Sequence, residues 1–557
     1  MRNRKGISLI VLVITIIVII ILAGSVILSL SRNNPILTAQ EATFKNDMDS
    51  LQSELTMYIT SKYTQTLGGF DINTMNGEVS TYIPSVTKYD TDFDIVKGKL
   101  IYNGANTQTL AYVRNMNLDV STVYDGTVAI NKPTLNVVNK TEGTVESWVN
   151  VTDSMRQEVA EKYIFSTYAD EKYTNTLALR HTRDNTWQAI MSSTYNLVSD
   201  ISVADTLNEG WHLFSMKWNA TEFSLFIDGT KVATTAGPKL MTAVATNLYI
   251  GNGPRLNLVK NGYVTMGNNT NFTDSIYTST DYSSSNASLS VTGGVGIQSN
   301  DYILIDPTKS YTQTGSFKSI GTGGNSRTYY GVASYDKYKQ YITPRMSNHF
   351  LNTETELTQD LKPGDTIAYI KNATNWHKSA DWFEYRYLAI YPYKDYPLYT
   401  YTQNIYLYNE SDTGTNTVTL TSAYSGPLIP AGTKVANNNN SCGEYIYNTL
   451  TGSVVPNTWS TYTSTVAGEY VNTTNYQQFR YGTKYIKVLF LLNHTQSSSY
   501  TTLVDDIEFK DTVGSLFNSK IQELCISNIA RSDSDILDRF RTGILVKDSN
   551  VTYMLTD

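Results

Sequence analysis

Aromatic side chains able to stack on sugar rings gather in one short stretch of this chain: Trp376, Trp382, Tyr385 and Tyr387. The flat face of such a ring covers a pyranose, while neighbouring polar groups take the hydroxyls. Asn375-Trp376-His377 reads as a loop, and binding side chains concentrate in loops. The same residue types equally serve as core or half-core packing, and the sequence leaves both readings open. Nucleophilic chemistry has less to work with. His181, His212, His349, His377 and His494 fall in no triad or zinc-ligand spacing. The chain also lacks a phosphate-cradling glycine loop and a G-x-S-x-G elbow.

The elements that must display these residues begin at the N-terminus. Arg2, Arg4 and Lys5 precede Gly6, and an apolar run follows from Ile7 to Leu30. About 20 apolar residues span a bilayer. The basic cap keeps Met1 cytoplasmic, so the rest of the chain is expected outside, tethered by its N-terminus. Asn34 can cap a helix whose first residue is Pro35. Phe44, Met48, Leu51, Leu55 and Tyr58 then repeat at helical spacing. That stripe is expected to pack on the chain's own head, with packing between subunits as the alternative. From Ile7 to Tyr63 the helix would be roughly 85 Å long at 1.5 Å per residue. Thr66-Leu67-Gly68-Gly69 ends it.

Lys5-Gly6-Ile7-Ser8-Leu9-Ile10 resembles the class III leader of type IV prepilins. The resemblance implies cutting between Gly6 and Ile7 by a prepilin peptidase, and other pilins as partners through the helix. The family usually has Glu at the fifth mature position, where this chain has Val11. That departure favours a minor or tip subunit over a major one. Phe93 to Tyr102 reads as two strands turning at Lys97-Gly98, and resembles the small head behind similar clostridial-type N-termini.

From about Asn117 many short strands follow. Gly143-Thr144-Val145-Glu146-Ser147-Trp148-Val149 and Trp211 to Trp218 alternate. Phe223 to Val232 forms a hairpin turning at Asp228-Gly229, and Asn247-Leu248-Tyr249-Ile250-Gly251 is a further strand. In this order they resemble a concanavalin A-like (laminin-G-like) jelly roll. Its closing piece looks displaced to Ser519–Asp533, so a whole domain is expected inside one of its loops, as surface loops permit. The insert resembles galactose-binding-like, carbohydrate-binding β-sandwiches through Asp301 to Pro307 and Leu503 to Phe509. Residues 354 to 450 match poorly and are taken as an elaboration of it.

These resemblances carry further implications. Some jelly rolls of this shape are glycosidases with two carboxylates about 5–5.5 Å apart on one strand in retaining enzymes. The nearest candidates are Glu142 and Glu146, but the alternating acids of that pattern are absent, so no catalytic residue is assigned. Carbohydrate-binding sandwiches often hold a structural Ca²⁺, which would put Asp505 and Asp506 among its oxygen ligands. No other cofactor is required.

Composition agrees with β-rich extracellular modules. Charged residues are only 17%, against about 25% typically, and the chain carries 42 tyrosines. A net charge of -7 without a Lys/Arg stripe argues against nucleic acid as a partner. Cys442 and Cys525 fall in different expected domains, so a disulfide is not favoured.

The expected fold class is α+β by segment: a long pilin-like N-terminal helix, then mainly antiparallel β-sandwich (jelly-roll) domains. The divisions are a leader (1–6), the membrane half of the helix (7–30), its extracellular amphipathic half (31–66) and a small head (67–116). A jelly roll (117–257 with 513–545), an inserted sandwich (258–512) and a tail (546–557) complete them. The expected function is a non-enzymatic adhesin at the cell surface, a minor or tip pilus subunit binding host or environmental glycan. The alternatives are a major pilin building the fibre and a membrane-anchored glycan hydrolase.

Overall fold

The computed structural model describes residues 35–555, apart from 67, 105, 117, 121–123, 134–136, 266, 273–276, 321–326, 343–349, 351, 391–404, 439–445, 471–476, 481, 495–499, 544 and 546. The segment from Ile7 to Leu30, with Gly6 and Val11, lies outside the described residues, as does Cys442. Among the described residues, no helix is long and apolar enough to cross a membrane.

Helix α1 spans Pro35–Gln65. Proline fits the first helical position because its missing N–H would have no partner there. Phe44, Met48, Leu51 and Leu55 are all buried. They pack on a four-stranded sheet built from Asn76–Glu78, Phe93–Val96, Lys99–Tyr102 and Asp119–Val120. Helix α2, Thr107–Asn115, shares that core and is capped by Asn106, whose Oδ1 accepts from the Gln108 and Thr109 N–H groups. The hairpin turns through Lys97 and Gly98 at φ of +51° and +75°, the positive-φ pair of a tight two-residue turn.

The jelly roll has two six-stranded sheets. One runs Leu197–Ala204, Thr186–Thr194, Leu177–His181, Lys162–Thr167, Asn247–Ile250, Ile130–Pro133. The other runs Thr230–Ala236, Glu222–Ile227, Gly210–Trp218, Gly143–Val151, Ile521–Ser527, Val551–Leu555. Val145, Val149 and Val151 point between the sheets. Thr144, Glu146 and Trp148 take the opposite face, as the period of two requires. Ile521–Ser527 lies directly beside Gly143–Val151, so one sheet joins strands separated by several hundred residues. The segment read as a tail is in part the edge strand Val551–Leu555, held by main-chain pairing that a short polar sequence does not announce.

The expectation of a single inserted sandwich is corrected. Two sheets do form a sandwich. The first is Tyr277–Ser279, Ser288–Thr292, Thr501–Asp511, Ser310–Ile320, Ser460–Ala467, and the second Val295–Gln298, Tyr485–Leu492, Arg327–Tyr335, Ile446–Val454. Between Tyr335 and Ile446, however, the chain builds a separate unit with its own core around Leu388, Tyr408, Val418, Ile429 and Val435. Its six strands run Thr355–Glu356, Lys434–Asn438, Tyr387–Ile390, Ile405–Asp412, Thr417–Leu420, Ile367–Tyr369. Leu357 pairs with Ile370, joining the first strand to the last and closing a small barrel. Closure leaves no free sheet edge. The chain is therefore nested twice, with a barrel inside a sandwich inside a jelly roll.

Candidate functional site

Both outer faces of the jelly roll are covered over much of their area. Helix α3, Asp533–Thr542, lies over Trp148, with Phe540 6.2 Å from it between ring centroids. Ser532 and Asp535 close a reciprocal capping box at its start. Beside α3, Arg114 of α2 sits 4.5 Å from the Trp148 ring. It donates to Gln522 Oε1 (2.6 Å), Gly543 O (2.8 Å) and Glu523 Oε2 (2.8 Å). Glu146 is fully buried under α3, paired with Arg539 and 3.7 Å from Arg531. Burial raises its pKa although both guanidinium groups oppose this. A carboxylate sealed between two arginines reaches no substrate, which agrees with the missing hydrolase pattern.

On the other outer face, Glu161 is 3.0 Å from Arg180 and 2.9 Å from Arg183, and Arg183 also pairs with Asp511 of the inserted sandwich. Tyr163 donates to the Pro254 carbonyl (2.8 Å), and burial raises its pKa. This face is a junction between domains. The jelly roll acts as the hub on which head and sandwich dock.

The exposed aromatics lie on the barrel. Trp382 is 54% exposed and Phe383 46%. Both stand almost at right angles to a neighbour: Trp382–Phe383 at 6.0 Å and 81°, Trp382–Tyr385 at 5.3 Å and 79°. The rings make a corner, so a sugar stacked on one meets the edge of another. The supporting loop is pinned from beneath. Lys378 N donates to Asp381 Oδ2 (2.7 Å), and Ser379 donates to Glu410. That bond holds the Glu410 carboxyl below its usual range. Tyr408 and Ser411 both donate to the His377 carbonyl, at 2.8 and 3.0 Å.

Buried Asn437 joins the two sides of the corner. Its Oδ1 accepts from the His377 N–H (2.8 Å) and faces Nδ1 (2.9 Å), while its Nδ2 donates to the Tyr385 carbonyl (2.7 Å). An accepting Oδ1 places an imidazole hydrogen on Nδ1. Sequence reasoning missed Asn437 and Phe383. Phe383 was readable as a large apolar residue in a polar loop. Asn437 had no local signal, because its partners lie some fifty to sixty residues away.

Of the four aromatics read as ligand contacts, the corner brings together Trp382 and Tyr385. Tyr387 is half-buried at the start of a strand, its carbonyl accepting from Asn437 Nδ2 at 3.3 Å. Trp376 is a correction. It is 3% exposed, belongs to the barrel core, and donates Nε1–H to the Thr353 carbonyl at 2.9 Å. Packing and a satisfied indole hydrogen leave it no face for a ligand.

Asp505 and Asp506 do not fit the calcium that the resemblance implies. Asp505 Oδ2 accepts from Ser283 N (2.9 Å) and Ser284 N (3.3 Å), and Oδ1 from Ser285 Oγ (2.7 Å) and Asp506 N (2.7 Å). Burial and the neighbouring Asp506 push the Asp505 pKa up. Asp506 accepts from Ser284 and from Ser316 Oγ (3.1 Å), with Lys172 at 3.9 Å. A hard cation needs converging oxygen acceptors, whereas donors surround these carboxylates. Among the described residues, no group of three or more His, Cys, Asp or Glu could hold a metal ion. Cys525 is a buried free thiol.

The family described as the concanavalin A-like lectin/glucanases superfamily matches residues 123–268, which include most strands of the two-sheet unit. Among solved structures, the Ruminococcus gnavus IT-sialidase CBM40 bound to alpha2,3 sialyllactose is 15% identical, covering 24% of this chain and 77% of its own, with a TM-score of 0.20. The botulinum neurotoxin serotype D binding domain is 11% identical, covering 35% of this chain and 68% of its own, with a TM-score of 0.19. An HCR/D mutant is 11% identical over 23% of this chain, which spans only 33% of that structure, with a TM-score of 0.20. No curated protein matches the chain.

Proposed function

We propose that this chain is a surface-displayed, non-enzymatic glycan-binding adhesin, and that it serves as a minor or tip subunit of a type IV pilus. The observation that carries the binding half is the Trp382–Phe383–Tyr385 corner. Two large apolar rings are held in solvent on a loop whose backbone is fixed by Asn437, Tyr408 and Ser411. A soluble surface does not hold such rings in place without use, and rigid aromatics bind with little loss of conformational entropy. The lectin-type jelly roll supports the same class of ligand. The burial of Glu146 between arginines supports a role without hydrolysis.

The pilus half rests on the sequence: the basic leader, Gly6, and the apolar run to Leu30. An amphipathic helix packed on a small four-stranded head supports it. In this reading the run from Ile7 anchors the chain in the membrane or fibre, a prepilin peptidase cuts after Gly6, and neighbouring pilins contact the helix. The test is a glycan array of the whole chain beside Trp382→Ala. Loss of the bound glycans in the variant supports the corner, and an unchanged array refutes it. N-terminal sequencing of the mature chain tests the leader: an N-terminus at Ile7 supports processing, and a retained Met1 refutes it.

A further inference from the structure

A second aromatic surface lies on the sandwich, away from the corner. Along Arg327–Tyr335 the residues alternate: Tyr330 and Val332 enter the core, while Tyr329, Gly331, Ala333 and Tyr335 face the other way. The neighbouring strand presents Tyr485, Lys487 and Leu489 on that outer face, with Ala333 opposite Lys487 and Tyr335 opposite Tyr485. Tyr302 stands edge-on to two of these rings, at 5.0 Å and 86° from Tyr335 and 6.2 Å and 78° from Tyr485. Ala333 and Leu489 are buried, packed against tyrosines that include Tyr302, Tyr335 and Tyr485.

Two cations rest on these rings. Lys487 Nζ is 4.4 Å from the Tyr302 centroid; Lys339 Nζ is 5.0 Å from Tyr302 and 5.2 Å from Tyr485. Among the described residues neither has a carboxylate partner. The nearby acid, Asp336, is hydrogen-bonded within its own loop, with Oδ1 accepting from Tyr338 N (2.9 Å) and Gln340 N (2.8 Å). Lys337 lies over the exposed Tyr338 ring at 4.9 Å. A basic, tyrosine-bearing face on a chain of net charge -7 is a local inversion of sign.

We infer that this outer sheet face binds an acidic carbohydrate, a pyranose bearing a carboxylate or sulfate. The half-buried Tyr302 and Tyr485 offer the sugar ring edges and hydroxyls, while the Tyr335 hydroxyl is held by Gln298. Lys339 and Lys487 take the negative group, each already held over a ring that orients it. An uncharged sugar would leave both ammonium groups without a counter-charge. The site is independent of the Trp382 corner, and neither needs the other.

The test is calorimetric titration of the whole chain with three probes: a galacturonic acid hexamer, its methyl ester and a heparin-derived hexasaccharide. The carboxylate and sulfate probes separate the two anionic chemistries, and the ester keeps the ring while removing the charge. Binding by at least one acidic probe is expected, with the ester about tenfold weaker. Lys339→Gln with Lys487→Gln should lower acidic binding by about tenfold, and Lys339→Arg with Lys487→Arg should retain it. Equal binding of acid and ester, no binding of either acidic probe, or full binding by the double Gln variant overturns the inference. So does stronger association with anionic phospholipid vesicles, which would make this face a lipid contact.

Discussion

Arg114 joins the helix-bearing head to the jelly roll, and replacing it with Ala tests whether the two are mechanically one body. Its side chain is 1% exposed, and Glu523 is 5% exposed. The guanidinium makes three hydrogen bonds across the boundary and covers the Trp148 ring. Removing one member of a buried pair costs about 3–5 kcal/mol, because the other charge stays desolvated. At 1.4 kcal/mol per tenfold, opening of the head from the jelly roll should become about 10² to 10³·⁵ times more frequent. Native-state proteolysis measures this as the rate of cleavage that separates head from jelly roll, under conditions where cleavage tracks the open population. Arg114→Met with Glu523→Leu should recover most of the loss, since an apolar pair of similar volume replaces the ions. A change under tenfold for Arg114→Ala, or a double variant no better than the single, would show that the boundary is held by something else.

Three further outcomes follow from the same structure. Trp376→Ala should destabilise the barrel by about 3–5 kcal/mol, whereas Trp382→Ala should stay within about 0.5 kcal/mol; equal losses in urea titrations would mean that the exposed and core tryptophans are misassigned. Burial alone would raise the Asp205 pKa, but hydrogen bonds from His181, Arg156 and Leu207 N outweigh it and hold the value well below the usual carboxylate range. Its contribution is present above the unfolded value of about 3.9 and is lost as pH falls toward the folded value; Asp205→Asn should therefore flatten the pH dependence of the urea midpoint below about pH 4, and an unchanged slope counts against the network. Chelation with EDTA should leave the melting curve unchanged, and a drop of several degrees would restore calcium at Asp505 and Asp506.

Local signals were readable where the chain's neighbours in sequence are also its neighbours in space. The turns at Lys97-Gly98 and Asp228-Gly229 carry positive φ at both residues, and the Phe44 to Leu55 stripe is buried along one side of α1. The barrel was not readable, because strands such as Thr355–Glu356 and Ile367–Tyr369 are too short to show a period. Its closure depends on the pairing of Leu357 with Ile370. Trp376 and Trp382 share one loop and one chemistry, and what separates them is the Thr353 carbonyl and a core that the loop itself does not encode. Glu523 sits at φ +54° in an irregular register, which no strand pattern predicts, and that distortion brings it to Arg114.

The twofold nesting has a consequence for how the molecule is made. A ribosome releases the first jelly-roll strands long before Ile521–Ser527, which must pair with Gly143–Val151 on one side and with the still later Val551–Leu555 on the other. At about 5–20 residues per second, some 260 intervening residues take about 13–50 s to appear. During that interval Gly143–Val151 has an open flank, while the innermost unit, whose last strand is Lys434–Asn438, gains its whole sequence before Ile521–Ser527 is made. Maturation therefore runs from the inside outward, and the oldest part of the β-region is the last to be completed.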